Sequence, residues 1–530
     1  MSNAKLLAVN LERFKSFKES TRIEFAPLTI ILGRNNSGKS TLIQSLLLLK
    51  QTLTEPRPDV MLRLEGLVEA FSLRELTFGW PAESAKVEGP ELTLEWESDV
   101  DVNAALEQSR WPDLENLAKH SGVKWLQSPP ERKSLRTAMT LRTVELEGAT
   151  QIAEIKLHSL GDPNGTVVLM KPIEKRWSCR WNGQKADKID VELDHFVPYL
   201  RIDRSDVGPR DRQRAWHNAY MVLFAQPLEA LKKLLSEMHY LGSSRQPPPS
   251  LFKPATTAPN EIGVSGELAA QLLHRRQKEI VHFLPPLQVS GGSLELPGTV
   301  LARPLVDAVN AVMAALSVKV SVRVEVIREV GFRLMFGEAS LAHVGRGLGY
   351  LLPIVELGLF ADPLRFTGSS DDMTLSTYRE HCGAFTHIAL EEPEAHLHPK
   401  VASRLAHWLV SLALANRRLI VETHSDHLVR RLRGLAARAG RNSELETWLL
   451  ENVVVLSVEQ DEAGCSMVTT SRLTAEGGVA ESWPADFMDE ATDEESAIYY
   501  AKLDKAEAEA HVEKSIEFDE APEPEADEAP

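Results

Sequence analysis

Leu28-Thr29-Ile30-Ile31-Leu32-Gly33-Arg34-Asn35-Asn36-Ser37-Gly38-Lys39-Ser40-Thr41 joins a short apolar run to a glycine-bounded loop, and the helical pattern STLIQSLLLLKQ follows from Ser40 to Gln51. The loop satisfies GxxxxGK[ST] in the setting that motif requires, after a strand and before a helix. Glycines let successive backbone N–H groups wrap phosphates, and the helix N-terminus adds a favourable dipole. Gly33, Arg34, Asn35, Asn36, Ser37 and Gly38 are therefore expected to cradle the phosphates of ATP. Lys39 should reach the β- and γ-phosphates, Ser40 should ligate Mg²⁺, and Thr41 should reach the α-phosphate. The plain alternative, an accidental glycine turn, leaves the strand-loop-helix setting unexplained.

A site of this kind needs a second buried strand ending in acids, and Thr386-His387-Ile388-Ala389-Leu390-Glu391-Glu392-Pro393 supplies one. Two adjacent carboxylates suit two tasks: Glu391 holding Mg²⁺ directly or through water, and Glu392 orienting and deprotonating the attacking water. A helix start decorated with acids is the bland alternative. A further apolar run, RLIVE, leads into Thr423 and His424, roughly 30 residues beyond the acids. A lone histidine is usually structural, but one at a strand end in this position is a candidate for contact with the γ-phosphate.

Outward from these segments the chain divides by texture. Residues 1 to 90 hold three strand-like runs, LLAVNLERF, TRIEF and LTIILG, and are expected to form an N-terminal lobe. Residues 91 to 330 mix strand-like ELTLEWES and TVVLMKPI with helical PLEALKKLLSEMHYL and read as an α+β insertion. Within it Ser243 to Pro254, SSRQPPPSLFKP, reads as a loop or hinge. Residues 331 to 483 alternate FRLMF, a glycine-rich turn, YLLPIVELGLF, HIAL, KVASRLAHWLVSLAL, RLIVE, DHLVRRLRGLAA and VVVLSV, the rhythm of an α/β core with a largely parallel sheet. No heptad repeat is sustained, which argues against long coiled-coil arms.

The composition, 43% hydrophobic and 25% charged over 530 residues, is that of a globular chain. The net charge of -17 is unevenly spread: residues 484 to 530 carry 17 acidic and 3 basic side chains, so the body before them is close to neutral. The acidic stretch is expected to be a disordered tail, with one short helix around Tyr499 to His511. A near-neutral body can still present a basic face to phosphates. Cys179, Cys382 and Cys465 make no CxxC pair, so neither a disulfide framework nor a zinc ribbon is indicated. No run approaches the roughly 18 apolar residues that cross a bilayer, and the N-terminus has no uninterrupted apolar core. A cytoplasmic protein without a membrane partner is expected.

EEPEAHLHP (Glu391 to Pro399) followed by VETHSDHL (Val421 to Leu428) resembles the paired Walker B/D-loop and H-switch motifs of OLD-like and SMC-like bacterial ATPases, and LERFKSF resembles their N-terminal strand motif. The resemblance implies an α/β P-loop NTPase with an ABC-type head. In it His424 is the switch histidine and Glu394 to His398 form a D-loop at a dimer interface. His343 to Pro353, HVGRGLGYLLP, resembles that family's signature turn VGxGxSQxLP, which implies that Gly345 and Gly347 contact a partner's γ-phosphate. Gly349 replaces its serine and Tyr350 its glutamine, so hydrolysis is expected to be slow. Gly477 to Val479 with Ser482 to Asp489 resembles the WPxGFFDE-type ending of a prokaryotic ATPase family.

OLD nucleases and the Gabija ATPase-nuclease continue into a TOPRIM domain, for which residues 428 to 483 are too short, so no cleavage by this chain is expected. The resemblance to Septu- and retron-associated ATPases implies a homodimer sandwiching ATP, open to higher assembly. It further implies control of an effector encoded nearby, a nuclease or toxin, in antiviral defence. A RecF-like DNA-repair ATPase and a nucleotide-sensing scaffold with little turnover are the rival readings. DNA is a further candidate partner, through Arg430, Arg431, Arg433, Arg438 and Arg441 or through Arg275, Arg276 and Lys278; a solvated helix face explains the same residues.

Overall fold

The computed structural model describes residues 3–480, apart from 83–85, 110–113, 124–125, 127–132, 161–165, 174–175, 204, 206–207, 209–210, 291–292 and 366. The expected tail, its helix and the WPxGFFDE-like ending after residue 480 lie outside the described residues. The described residues form one compact unit.

The apolar runs around the phosphate loop become Lys5–Glu12 (β1), Thr21–Glu24 (β2), Leu28–Gly33 (β3) and the helix Lys39–Leu53 (α1). The next strands are Lys86–Val100 (β4), Lys133–Leu146 (β5), Ala149–Ser159 (β6), Val167–Ile173 (β7), Arg176–Trp181 (β8) and Gln184–Lys185 (β9). Two of their turns explain why they run back and forth. Glu147-Gly148 and Asn182-Gly183 all have positive φ (50°, 78°, 44° and 80°), the type I′ conformation whose twist matches a two-residue hairpin. An eight-stranded antiparallel sheet results, ordered β2-β1-β4-β5-β6-β7-β8-β9. β4 pairs with β1 on one side and β5 on the other, so this sheet joins the N-terminal strands to the expected insertion.

The second sheet is made from segments far apart in sequence. After the helix Gln226–Glu237 (α2) come His239–Leu241 (β10), the helix Arg346–Phe360 (α3), Thr386–Glu391 (β11), Pro399–Leu414 (α4), Arg417–Glu422 (β12), Asp426–Arg438 (α5), Val453–Gln460 (β13) and Ser466–Arg472 (β14). Their order with β3 is β10-β11-β12-β3-β13-β14, parallel except for the last pair. α1 and α4 both pack on β3 and β12, and β3 is buried along its whole length, as a strand covered on both faces must be. α2 contacts both α1 and β4, and Trp96 Nε1 of β4 donates to Pro227 O at 2.9 Å, tying the two sheets into one core.

The largely parallel sheet expected of the head is thus the six-stranded one, and the added finding is the eight-stranded antiparallel sheet beside it, in which the hairpin turns of residues 147–148 and 182–183 enforce antiparallel pairing and which draws in β1 and β2. FRLMF is also a strand, Gly331–Phe336, but it pairs antiparallel with Val322–Ile327 in a small sheet outside the parallel core. The connection between those two strands is too short for the crossover that parallel pairing needs.

Candidate functional site

β3 delivers the chain to Gly33, whose φ of 149° is open only to glycine; a Cβ there would lie 2.2 Å from Val458 O on β13. The loop then turns through Asn36 at φ 65° and enters α1 from Gly38 at φ 102°. A Cβ on Gly38 would meet Ser466 Oγ at 2.4 Å and Ser16 Oγ at 2.6 Å. Ser466 Oγ donates to Ser37 O at 2.6 Å and Ser466 N to Ser16 O at 2.8 Å, so the start of β14 and the FKSF turn after β1 brace the phosphate loop.

Lys39 folds its ammonium back into this loop, donating to Gly33 O at 3.0 Å and Arg34 O at 2.6 Å. Burial holds its pKa below the ordinary lysine range, against the opposing pull of Glu422 and Glu392. Ser40 Oγ donates to Glu422 Oε1 at 2.9 Å. Glu422 ends β12 directly beside Glu391, its register partner on β11. Burial first, and then the charge of Glu391, push the Glu422 carboxyl up to about 7. Its second oxygen, Oε2, is buried without a protein hydrogen-bond partner.

A cavity of about 590 Å³ opens here, lined by Asn35, Asn36, Gly38, Lys39, Ser40 and Thr41 of the loop, together with Lys15, Ser16, Gln44, Glu392, Glu422, His424 and Gln460. Gly33 and Ser37 are buried beneath the loop, and Arg34 is exposed at its rim. Glu392 follows the end of β11 with φ 42°, and His424 Nε2 stands 3.9 Å from its Oε1. Burial and Lys39 lower the pKa of His424, which favours its neutral form. Glu391 is the predicted acid that does not line the cavity. Its carboxyl is held by the Tyr240 hydroxyl and the Ser243 backbone, with burial raising its pKa overall.

The turn of residues 394–398 is tied to the end of β12 by one side chain: Glu394 Oε1 accepts from Thr423 Oγ1 at 2.6 Å and from His424 N at 3.0 Å. Gly345 and Gly347 are not brought to the cavity. Gly345 caps the start of α3, and a Cβ on Gly347 would lie 2.7 Å from His396 O, so the turn packs against residues 394–398 of its own chain.

Sequence reasoning missed Glu422, Lys15, Ser16, Gln44 and Gln460. Glu422 carries a readable signal, an acid closing an apolar run just before Thr423-His424. Lys15 Nζ donates to Gln44 Oε1 at 2.5 Å, a pairing that proximity in the chain does not announce. Several of the expected DNA-facing cations are engaged internally: Arg430 with Asp426, Arg431 with His407, Arg433 with Gly477 O and Arg276 with Glu279 and Pro259 O. Among the described residues no cluster of three or more His, Cys, Asp or Glu could hold a metal by itself. Mg²⁺ in a phosphate-loop site needs less, since phosphates and water complete its shell. The hard oxygen donors Ser40 and Glu422, with Glu391 beside them, fit that ion. Among the described residues no helix is long and apolar enough to cross a membrane.

Residues 5–101 and 367–429 match the AAA ATPase domain family, the segments that carry the glycine-bounded loop, Glu391, Glu392, Glu422 and His424. Over those segments the chain is similar to ATPase domains of the AAA type, in keeping with an ATP-binding ATPase. No curated protein matches it by sequence. Similar solved structures include an SMC head bound to the C-winged helix domain of ScpA (13% identity, TM-score 0.37, covering 88% of this chain and 98% of that one). The SMC head domain from Thermotoga maritima (12%, TM-score 0.35, 88% and 98%) is another. A third is an SMC head with an extended coiled coil bound to the C-terminal domain of ScpA derived from Pyrococcus furiosus (11%, TM-score 0.35, 88% and 96%).

Proposed function

We propose that this chain binds ATP with Mg²⁺ in the 590 Å³ cavity and hydrolyses it slowly, two copies closing over two nucleotides. The observation that carries the reading is the convergence of Lys39, Ser40, Glu392, Glu422 and His424 on one cavity from three distant parts of the chain. On ATP entry the Lys39 ammonium exchanges the carbonyls of Gly33 and Arg34 for β- and γ-phosphate oxygens. Mg²⁺, when bound, neutralises charge on the phosphates. Ser40 and Glu422, backed by Glu391, are the residues that would hold it. Glu392 accepts the proton of the attacking water, and neutral His424 donates a hydrogen bond to the γ-phosphate.

The sequence resemblance adds that Gly345 and Gly347 of a second copy close the site, and that closure controls a partner effector, a nuclease or toxin, in antiviral defence. Calorimetry with Mg·ATP tests the first step. Lys39→Ala should bind at least about tenfold more weakly, since a hydrogen bond to a charged group contributes about 1.5–3 kcal/mol. Equal affinity in wild type and variant would overturn the reading. Light scattering of a hydrolysis-blocked Glu392→Gln protein should show its mass doubling with ATP; a monomer at saturating ATP would remove the dimer.

A further inference from the structure

Arg245 lies in the proline-rich segment between β10 and α3, outside every nucleotide-binding motif, and it is 7% exposed. Its Nη2 donates to Glu391 O at 2.9 Å and to Glu392 O at 3.0 Å, the two carbonyls that flank the turn out of β11. That turn is strained, because Glu392 is a non-glycine residue at φ 42°. Such a conformation persists where its surroundings over-determine it. Here three hydrogen bonds do so: the two from Arg245 and that from Glu392 N to Glu422 O at 2.8 Å. The guanidinium also sits within the fields of Glu394, Glu392, Tyr350 and Glu391. Its Nε and Nη1 make no protein hydrogen bond. Burying a charge costs several kcal/mol unless it is compensated, so a buried arginine bound to main-chain carbonyls calls for a reason beyond packing.

The same segment touches the signature-like helix. A Cβ on Gly349 would lie 3.1 Å from Pro248 Cδ and 3.2 Å from its Cγ, so the glycine that departs from the family pattern is what admits Pro248 against α3. The neighbouring departure, Tyr350, sets its ring 5.0 Å from that of His396 in the D-loop turn. Residues 245–248 are therefore held between the start of α3 and the backbone of the two acids.

We infer that Arg245 is a positioning residue for Glu392. Its Nη2, shared between the two carbonyls, fixes the Glu391-Glu392 turn so that the Glu392 carboxylate faces the cavity, and the seating of Pro248 on Gly349 sets where that nitrogen stands. A lysine, whose ammonium ends a shorter and more flexible stem without the planar guanidinium that orients Nη2, reproduces this only in part. The inference rests on the hydrolysis proposed above. The experiment measures Mg·ATP affinity by calorimetry and kcat by phosphate release in the full-length chain.

Arg245→Met should leave the Kd for ATP within about threefold while kcat falls by about 10- to 100-fold, the scale of a misplaced reacting group. Arg245→Lys should recover part of the loss. Gly349→Val, which displaces Pro248, should lower kcat several-fold with Kd unchanged. Combined with Arg245→Met it should add almost nothing, since both act on one link. Wild-type kcat in Arg245→Met, or losses that multiply in the double variant, would overturn the inference and leave the ATPase reading standing. If Arg245→Met does not fold, Arg245→Lys and Gly349→Val carry the same comparison, and wild-type kcat in both overturns the inference. A wild-type protein that binds Mg·ATP without releasing phosphate overturns the reading and the inference together.

Discussion

In the six-stranded sheet the neighbours β11, β12, β3 and β13 all run the same way, so their C-terminal ends fall on one edge, and there lie Glu391, Glu422, Gly33 and Gln460. In the eight-stranded sheet each neighbour reverses, and successive strand ends fall on opposite edges. Both sheets bury similar apolar residues in one core. Parallel order gathers functional groups from distant sequence at one place, which suits a site. Antiparallel order keeps neighbours local and commits its strands to support. A substitution at the parallel edge should therefore change chemistry at nearly constant stability, and one in the antiparallel sheet should do the reverse.

The largest effect expected is at Glu392. Glu392→Gln should retain ATP but lower kcat by about 10²- to 10⁴-fold, the usual contribution of a general base. Phosphate release at the wild-type rate would show that the parallel edge does not work as assigned. Trp96→Ala in β4 should cost about 3–5 kcal/mol of stability, read as a lowered unfolding midpoint, while folded protein binds ATP within about threefold of wild type. A matching loss of ATP affinity would erase the distinction between the sheets.

The smallest effect sharpens it, because Glu422 belongs to both chemistry and packing. Its carboxyl is raised to about 7 in the folded protein from an ordinary value near 4.5. The folded state then holds a proton between those values that the unfolded state has lost. Stability should fall as pH rises from about 4.5 to about 7, by up to about 3 kcal/mol. Glu422→Gln should flatten that slope. An unchanged dependence of the melting midpoint on pH would mean that Glu422 titrates normally.

The parallel strands β3, β11, β12 and β13 were legible as short apolar runs, as in LTIILG before the phosphate loop and HIALEE, whereas β10 was not, because His239–Leu241 ends the helical-looking run PLEALKKLLSEMHYL. The antiparallel sheet was not. ELTLEWES shows its alternation but does not name β1 and β5 as its partners, and the decisive Glu147-Gly148 and Asn182-Gly183 turns fix only local pairs. Arg245 was hidden for a different reason: its partners are main-chain carbonyls nearly 150 residues away, which no side-chain pattern encodes. Gly349 and Tyr350 stood out as departures from a pattern, and their meaning came only from Pro248 and His396.

The position of β3 has a consequence for how the chain is made. Leu28 pairs with Leu419 on one side and Val453 on the other, so the central strand waits for partners roughly 390 residues downstream. At ribosomal speeds of about 5–20 residues per second, that is about 20–80 s after its own synthesis. The hairpins of residues 133–159 and 167–185 close locally and early, whereas pairings of such long sequence separation close slowly. During that interval the run Leu28–Leu32 lacks both of its strand neighbours. The nucleotide site thus cannot be complete before residues 417–460 have been made, and a nascent chain stalled before residue 417 holds a phosphate loop whose strand β3 has no neighbour in the sheet.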